Sequence, residues 1–357
     1  MEYTTLDKIS ENLDSKRKPI TSSDRVEGKI PYYGASGIVD YVKDYIFDES
    51  LLLVSEDGAN LLARSTPIAF SVTGKTWINN HAHVLRFSNE NLQKFVEIYL
   101  NSISLESYVT GSAQPKLNQK MLNGIPIPVV DDSQIEIIVN SVENLKSIIE
   151  LRKQELACLD ELIKARFVEM FGNPVINEKR WRQKSLGEIT TKIGSGATPK
   201  GGKGAYQEEG ITLIRSMNVH NGLFEYKELA HISDEQATKL DNVVIEENDV
   251  LLNITGASVA RSCVVPSKIL PARVNQHVCI IRCKKCINPE FLNKLLIDDN
   301  YQDLLWSIAG AGATREAITK QQVENLQIIM PPIELQIEFM RFCNQVNKSK
   351  FAVQKTL

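Results

Sequence analysis

The sequence predicts a mixed α+β protein made by duplication: two related modules joined by long helices that form an antiparallel coiled coil. Three observations carry this expectation. Asn79-Asn80-His81-Ala82-His83-Val84-Leu85-Arg86 reappears as Asn275-Gln276-His277-Val278-Cys279-Ile280-Ile281-Arg282. Leu51-Leu52-Leu53 is answered upstream by Val250-Leu251-Leu252, and residues 117–127 are answered downstream by residues 318–328. Each copy then meets a proline-rich break, after which a helix opens with Gln134-Ile135-Glu136 or Gln336-Ile337-Glu338. The copies lie about 200 residues apart, far beyond the period of short-repeat solenoids, so this is a duplicated domain rather than a stacked array.

The first module, residues 1–130, mixes strand-like runs at 50–55 and 69–73 with turn signals at Gly34-Ala35-Ser36-Gly37 and Glu56-Asp57-Gly58. A helix is expected over 90–108. Pro126 and Pro128 close the module, and Asp131-Asp132-Ser133 supplies caps for the next helix. Residues 131–175 hold the longest periodic segment. Ile135, Ile138, Val142, Leu145, Ile149, Arg152, Leu156, Leu159, Ile163, Arg166 and Met170 follow spacings of three and four, and nine of these eleven are apolar, as in a coiled-coil seam. At 1.5 Å per residue the helix would run about 58 Å. Gly172-Asn173-Pro174 stops it. The second module, residues 176–332, repeats the mixed character and ends at Pro331-Pro332. Residues 333–357 then form a second helix, with Leu335, Phe339, Phe342, Val346, Val353 and Leu357 as its apolar positions. The expected interface joins Ile138, Val142, Leu145, Ile149, Leu156, Leu159 and Ile163 to Phe339, Phe342, Val346 and Val353. At an offset of 202, Leu357 falls opposite Glu155, so residues 156–171 have no counterpart in the second helix.

A chain of 357 residues suffices for two domains with full cores, and 43% apolar with 24% charged residues is ordinary globular composition. The N-terminus is polar and acidic, and no apolar run approaches the roughly 18–20 residues of a membrane span, so a cytoplasmic, non-membrane protein is expected. Six irregularly spaced cysteines suit reduced thiols. Net charge is −3, divided as −2 over 1–130, −4 over 131–175, +1 over 176–332 and +2 over 333–357. Inside the second module the charge is patchy. Residues 179–203 hold seven basic residues and one acid, and residues 261–285 hold six basic residues and none. Either stretch alone also suits a solvated face; both in one module favour a surface that meets a polyanion.

No catalytic constellation emerges. The run Gly194 to Gly204 invites a phosphate-loop reading, but aligning Gly202-Lys203 places Ala197 where the first glycine belongs and Gly204 where the hydroxyl belongs. A flexible basic loop along a nucleic-acid backbone or a plain surface loop remain. Cys283-Lys284-Lys285-Cys286 is half a zinc motif without a second pair, so no metal is assigned. His81 and His277 occupy matching places, as hydrogen-bonded structural residues or as contacts to a base or backbone. Met330-Pro331-Pro332-Ile333 lacks the polar residue and the aromatic that an amino-methyltransferase motif places around the prolines. The chain reads as a non-enzyme without cofactors of its own.

Taken in order, these features resemble the specificity subunit of type I restriction–modification systems over essentially the whole chain. The carrying residues are the module openings at 6–9 and 181–189 and the loop Gly194-Ser195-Gly196-Ala197-Thr198-Pro199. The two Asn-x-His segments, Gly111-Ser112-Ala113 with Gly310-Ala311-Gly312-Ala313, and the proline-ended exits complete the pattern. The first module departs from it, having Asp14-Ser15-Lys16-Arg17-Lys18-Pro19 where the Gly-x-Thr-Pro loop would lie. The resemblance implies two target-recognition domains that read a bipartite, asymmetric site on double-stranded DNA. It also implies two methyltransferase subunits and restriction/translocase subunits as partners, which would hold the S-adenosylmethionine, ATP and Mg²⁺ and flip the target adenines. Candidate DNA contacts are then Lys16, Arg17, Lys18, Lys75 and His81 in the first module, and Lys200, Lys203, Arg215, Asn218, Arg273, Gln276 and His277 in the second. Loop lysines are expected on phosphates, and Arg215, Asn218 and Gln276 on bases. Two competitors stand beside this reading. An enzyme with its own methyltransferase or nuclease activity would bind methyl donor alone, and a scaffold without a DNA role would shift no DNA when mixed with methyltransferase subunits.

Overall fold

The computed structural model describes residues 2–111, 114–198, 202–310 and 316–357. By packing, the chain divides into two compact units, Met1–Glu150 and Leu151–Leu357, with the division inside the long helix Asp132–Phe171.

In the first unit a four-stranded antiparallel sheet has the order Ser10–Asn12, Ala82–Phe87, Leu51–Ser55, Ala69–Val72. The central strand Leu51–Ser55 is wholly buried. Side chains alternate across a strand, and this one divides its residues between two cores. Leu52 and Val54 join Phe95, Val96 and Leu100 of the helix Glu90–Ser102. Leu51 and Leu53 join Leu13, Phe47, Ile78 and Val84. A second sheet has the order Gly37–Val42, Glu27–Gly34, Lys75–Ile78, Phe47–Asp48, and its middle pair is parallel. The helix expected over 90–108 ends at Ser102. There Asn101 turns its carboxamide to the Ile68 N–H (2.9 Å) and the Ala69 carbonyl (2.7 Å), tying the chain to the neighbouring strand.

The second unit repeats the plan. Its four-stranded sheet has the order Thr190–Ser195, Val278–Cys283, Val250–Asn253, Ser262–Val264. The central strand again serves two cores, with Val250 and Leu252 in one and Leu251 in the other. A second sheet places Ile211–Ile214 parallel to Ala272–Val274. Each unit also closes its opening strand on its exit strand, Tyr3–Thr5 on Pro126–Pro128 and Gln183–Ser185 on Gln327–Ile329. The duplication read from the sequence is therefore a duplication of topology.

The long helix starts where expected: Asp131 accepts the Gln134 N–H (3.0 Å), and the Ser133 hydroxyl and Gln134 amide hold its carboxyl below the usual range. It stops at Gly172, whose φ of +74° suits glycine and whose N–H donates to the Val168 carbonyl. Within the second unit its last turns pack antiparallel on the helix Ile333–Gln354. Asp160 meets Lys350 while Arg166 meets Glu338, so the partners run in opposite directions. Leu159, Ile163, Phe339, Phe342 and Val346 lie in this packing as expected.

The seam differs from the expectation in two ways. Its last positions are Phe167 and Phe171, with rings 5.5 Å from that of Phe339, whereas Arg166 lies to the side over the Phe342 ring. Steps of four drift to a neighbouring stripe of the helix, so a strict three-and-four count left both rings out. Further back, Ile138 packs on the first unit's core and Val142 is half-buried, but Leu145 and Ile149 are 59% and 42% exposed. Leu156 is half-buried, and Val353 is buried outside the main apolar cluster.

Candidate nucleic-acid interface

The Asn-x-His segments form the same turn in both modules. Asn79 and Asn275 are 6% and 5% exposed, and each side chain accepts the N–H of the histidine two residues on, at 2.8 and 3.0 Å. Asparagine thus builds a turn from its own side chain. The Asn79 and Asn275 amides donate to the Tyr33 and Ile214 carbonyls, at 3.0 and 3.1 Å. The His81 and His277 carbonyls accept from Glu56 and Ile254, each at 2.9 Å. The carbonyls of those two residues accept from Leu117 and Ile318, each at 2.8 Å. Each imidazole faces the residue beginning the next loop: His81 Nδ1 lies 2.9 Å from the Asp57 carboxylate, and His277 Nδ1 meets the Thr255 hydroxyl. Both histidines are therefore held structurally at an exposed corner.

Each corner also carries an arginine on a tyrosine ring. Arg25 lies 4.6 Å over Tyr32 and pairs with Asp40, beside a groove of about 490 Å³ lined also by Asn79, Asn80 and His81. Arg215 lies 5.4 Å over Tyr206 and donates to the Glu228 carbonyl. The glycine-rich stretch begins as a strand and then crosses the second corner. At Gly196 a Cβ would come within 1.8 Å of the Val274 carbonyl oxygen, so only glycine passes here. Thr198 donates to Gln276. A single turn, Gly202–Ala205, follows, rather than the longer helix a phosphate loop opens.

Lys16, Lys18 and Lys75 are exposed, the last 4.7 Å over the Tyr45 ring. Gln276 is exposed at its turn. Lys200 and the Lys203 side chain lie outside the described residues, as do Ser112, Ala113 and 311–315. Three expected contacts are turned inward, which corrects their reading as DNA ligands. Arg17 donates to Glu56 (2.6 Å) and to the Ala82 carbonyl (2.8 Å). Asn218 is fully buried and donates to the Glu225 and Lys227 carbonyls. Arg273 is 8% exposed and donates to the Ala237 and Ala272 carbonyls and to Asp241. Basic and amide residues mark DNA faces in a sequence, but they also satisfy buried carbonyls, and only packing separates the two uses. The sequence reading passed over Arg25 and Asn80, although Asn80 already stood opposite Gln276 in the repeat.

Behind the first corner lies an ionic network. His83, 1% exposed, places Nδ1 2.6 Å from Asp14 and Nε2 2.7 Å from the Leu117 carbonyl. Burial would raise the Asp14 carboxyl, but the hydrogen bond and charge of His83, with Val84 N–H and Arg17, hold it below the usual range. Glu56 is likewise lowered against its burial by Arg17, His83 and Lys116. Asp14, Glu56 and His83 are the only described group close enough to share a metal ion. Arg17 and Lys116 already balance the two carboxylates, so the group reads as an ionic lock. Cys283 of the half-zinc motif is partly buried, which pushes its thiol up to about 12, unlike a ready metal ligand.

A family model, the type I restriction modification DNA specificity domain, matches residues 1–161 and 178–357. A Haemophilus influenzae protein described as a type I restriction enzyme specificity subunit is 37% identical over 139 residues, 39% of this chain and 36% of that protein. The specificity subunit of the type I restriction enzyme MjaVIII from Methanocaldococcus jannaschii is 21% identical over 355 residues, 91% of this chain and 80% of that protein. The crystal structure of a type I restriction–modification S subunit from M. genitalium superposes with a TM-score of 0.55 at 13% identity, covering 99% of this chain and 91% of that one. A chain from a structural study of type I restriction–modification complex assembly gives 0.62 at 16%, covering 99% and 92%.

Proposed function

The chain belongs to the type I restriction–modification DNA specificity family, matched along both of its halves, and from that premise we propose that each half reads one part of a bipartite DNA site. Sequence-specific DNA recognition is this family's role. The observation that carries the finer reading is the repetition of one corner, turn and arginine–tyrosine stack together, at the edge of each module. The corners differ in a polar group, the Asp57 carboxylate against the Thr255 hydroxyl, so the two half-sites differ in sequence. The chain itself is non-catalytic and works in the cytoplasm. Methyl transfer and cleavage belong to methyltransferase subunits, two per complex, and restriction/translocase subunits docked on the helices. A net charge of −3 fits such a division, because partners then supply much of the phosphate clamp.

The test is partnership. The isolated chain is expected to bind DNA weakly, and adding its methyltransferase partner is expected to create site-specific binding that weakens steeply with salt. Tight binding of one sequence by the isolated chain, unchanged by the partner, refutes the adaptor reading.

A further inference from the structure

We infer that the middle residue of each Asn-x-His turn is the base-reading position of its module, with Asn80 and Gln276 as equivalent specificity-determining side chains. The inference rests on the DNA-recognition reading above and assigns residues within it. In each turn the flanking side chains are already committed. Asn79 and Asn275 are buried in closing the turn, and His81 and His277 are tied to Asp57 and Thr255. The middle residue is exposed in both turns on a frame pinned by three matching backbone hydrogen bonds, and the exposed His81 beside it is held by Asp57. A reader of base edges needs that combination, because a hydrogen-bonding fork discriminates only when its position is held.

The chemistry of the two residues points to one base. Asn80 and Gln276 are both carboxamides, one N–H donor beside one carbonyl acceptor. That pattern matches the acceptor N7 and donor N6 amine of adenine in the major groove. Gln276 is already oriented, its carbonyl accepting from Thr198 and its amide 3.0 Å from His277 Nε2. Asn80 makes no side-chain hydrogen bond among the described residues and opens on the groove that holds Arg25. Arg25 and Arg215 stand beside the two turns as cations for the adjoining phosphates. The Asp57 carboxylate, where the second module has the Thr255 hydroxyl, gives the first corner an acceptor-only neighbour and the second a donor as well.

The experiment uses the full chain with its modification partner and a randomised double-stranded DNA library. Wild type, Asn80→Ala, Gln276→Ala and the double variant are compared by selection and sequencing, with thermal unfolding as the check on folding. Each single variant is expected to lose preference at one A·T position, Asn80→Ala in one half-site and Gln276→Ala in the other. Discrimination there should fall roughly 5- to 150-fold, with melting and affinity for unrelated DNA unchanged. If folded variants select the wild-type sequence, or weaken on all sequences equally, the assignment is overturned while DNA recognition stands. If wild type itself selects no sequence, the parent reading falls and this one with it.

Discussion

Replacing Phe339 by Ala is expected to destabilise the second unit far more than the same change at Leu145 destabilises the first, although both positions belong to one apolar pattern in the sequence. Phe339 is fully buried, with its ring 5.5 Å from both Phe167 and Phe171 in edge-on geometry. Truncating such a phenylalanine costs about 3–5 kcal/mol, and two aromatic pairs at about 0.5–1.5 kcal/mol each place the value toward the upper end. Leu145 is 59% exposed. Burying a whole leucine is worth about 1.5–3 kcal/mol, so less than half a burial leaves about 1 kcal/mol or less. The assay is urea unfolding read by tryptophan fluorescence. Leu145 lies in the first unit, reported by Trp77, and Phe339 in the second, where a Trp77→Phe background leaves Trp181 and Trp306 as the reporter. That reporter matters because a chain of two units need not unfold in one step. Phe339→Ala should raise the unfolding equilibrium constant of the second unit by roughly two to four powers of ten. Losses of similar size for Phe339→Ala and Leu145→Ala would refute the placement of the helix packing.

Three further outcomes follow from the same reasoning. Asp14 and Glu56 have lowered folded-state values, so their stabilisation is complete above their ordinary values of 3.8 and 4.5 and is lost as pH falls through the lower folded ones. Acid melting of the wild type should therefore steepen below about pH 4, and Asp14→Asn should flatten that dependence; identical pH profiles would count against the lock. Replacing Lys200 and Lys203 together by Ala is expected to weaken binding to all sequences and to reduce the salt slope by about 1.8 if each lysine holds one phosphate. Unchanged binding and methylation would remove the loop from the interface. Inserting four residues between Leu145 and Leu156 adds about 6 Å of helix. If the helix sets half-site spacing, methylome sequencing should find the unread gap longer by about one or two base pairs with both half-sites kept. A fixed gap or altered bases would end the ruler idea.

What the sequence determined by itself was whatever local order and repetition carry. Periodicity of three and four, Gly172 and the Asp131 cap define the long helix without help from the rest of the molecule. Comparison of the two copies located both Asn-x-His turns, because a side chain that builds its own turn does so from neighbours in the chain. The tertiary structure decided which members of those patterns are buried and which polar groups are free. Leu145 and Phe339 look alike in a seam, yet one is exposed and the other has two rings within reach, since burial depends on what arrives from 168 and 172 residues away. Arg17 and Lys18 are neighbours in one basic run, but only Lys18 faces solvent, because the Glu56 carboxylate and the Ala82 carbonyl meet Arg17 once the sheet forms. A charged residue announces its chemistry in one letter, and its partner is chosen by the fold.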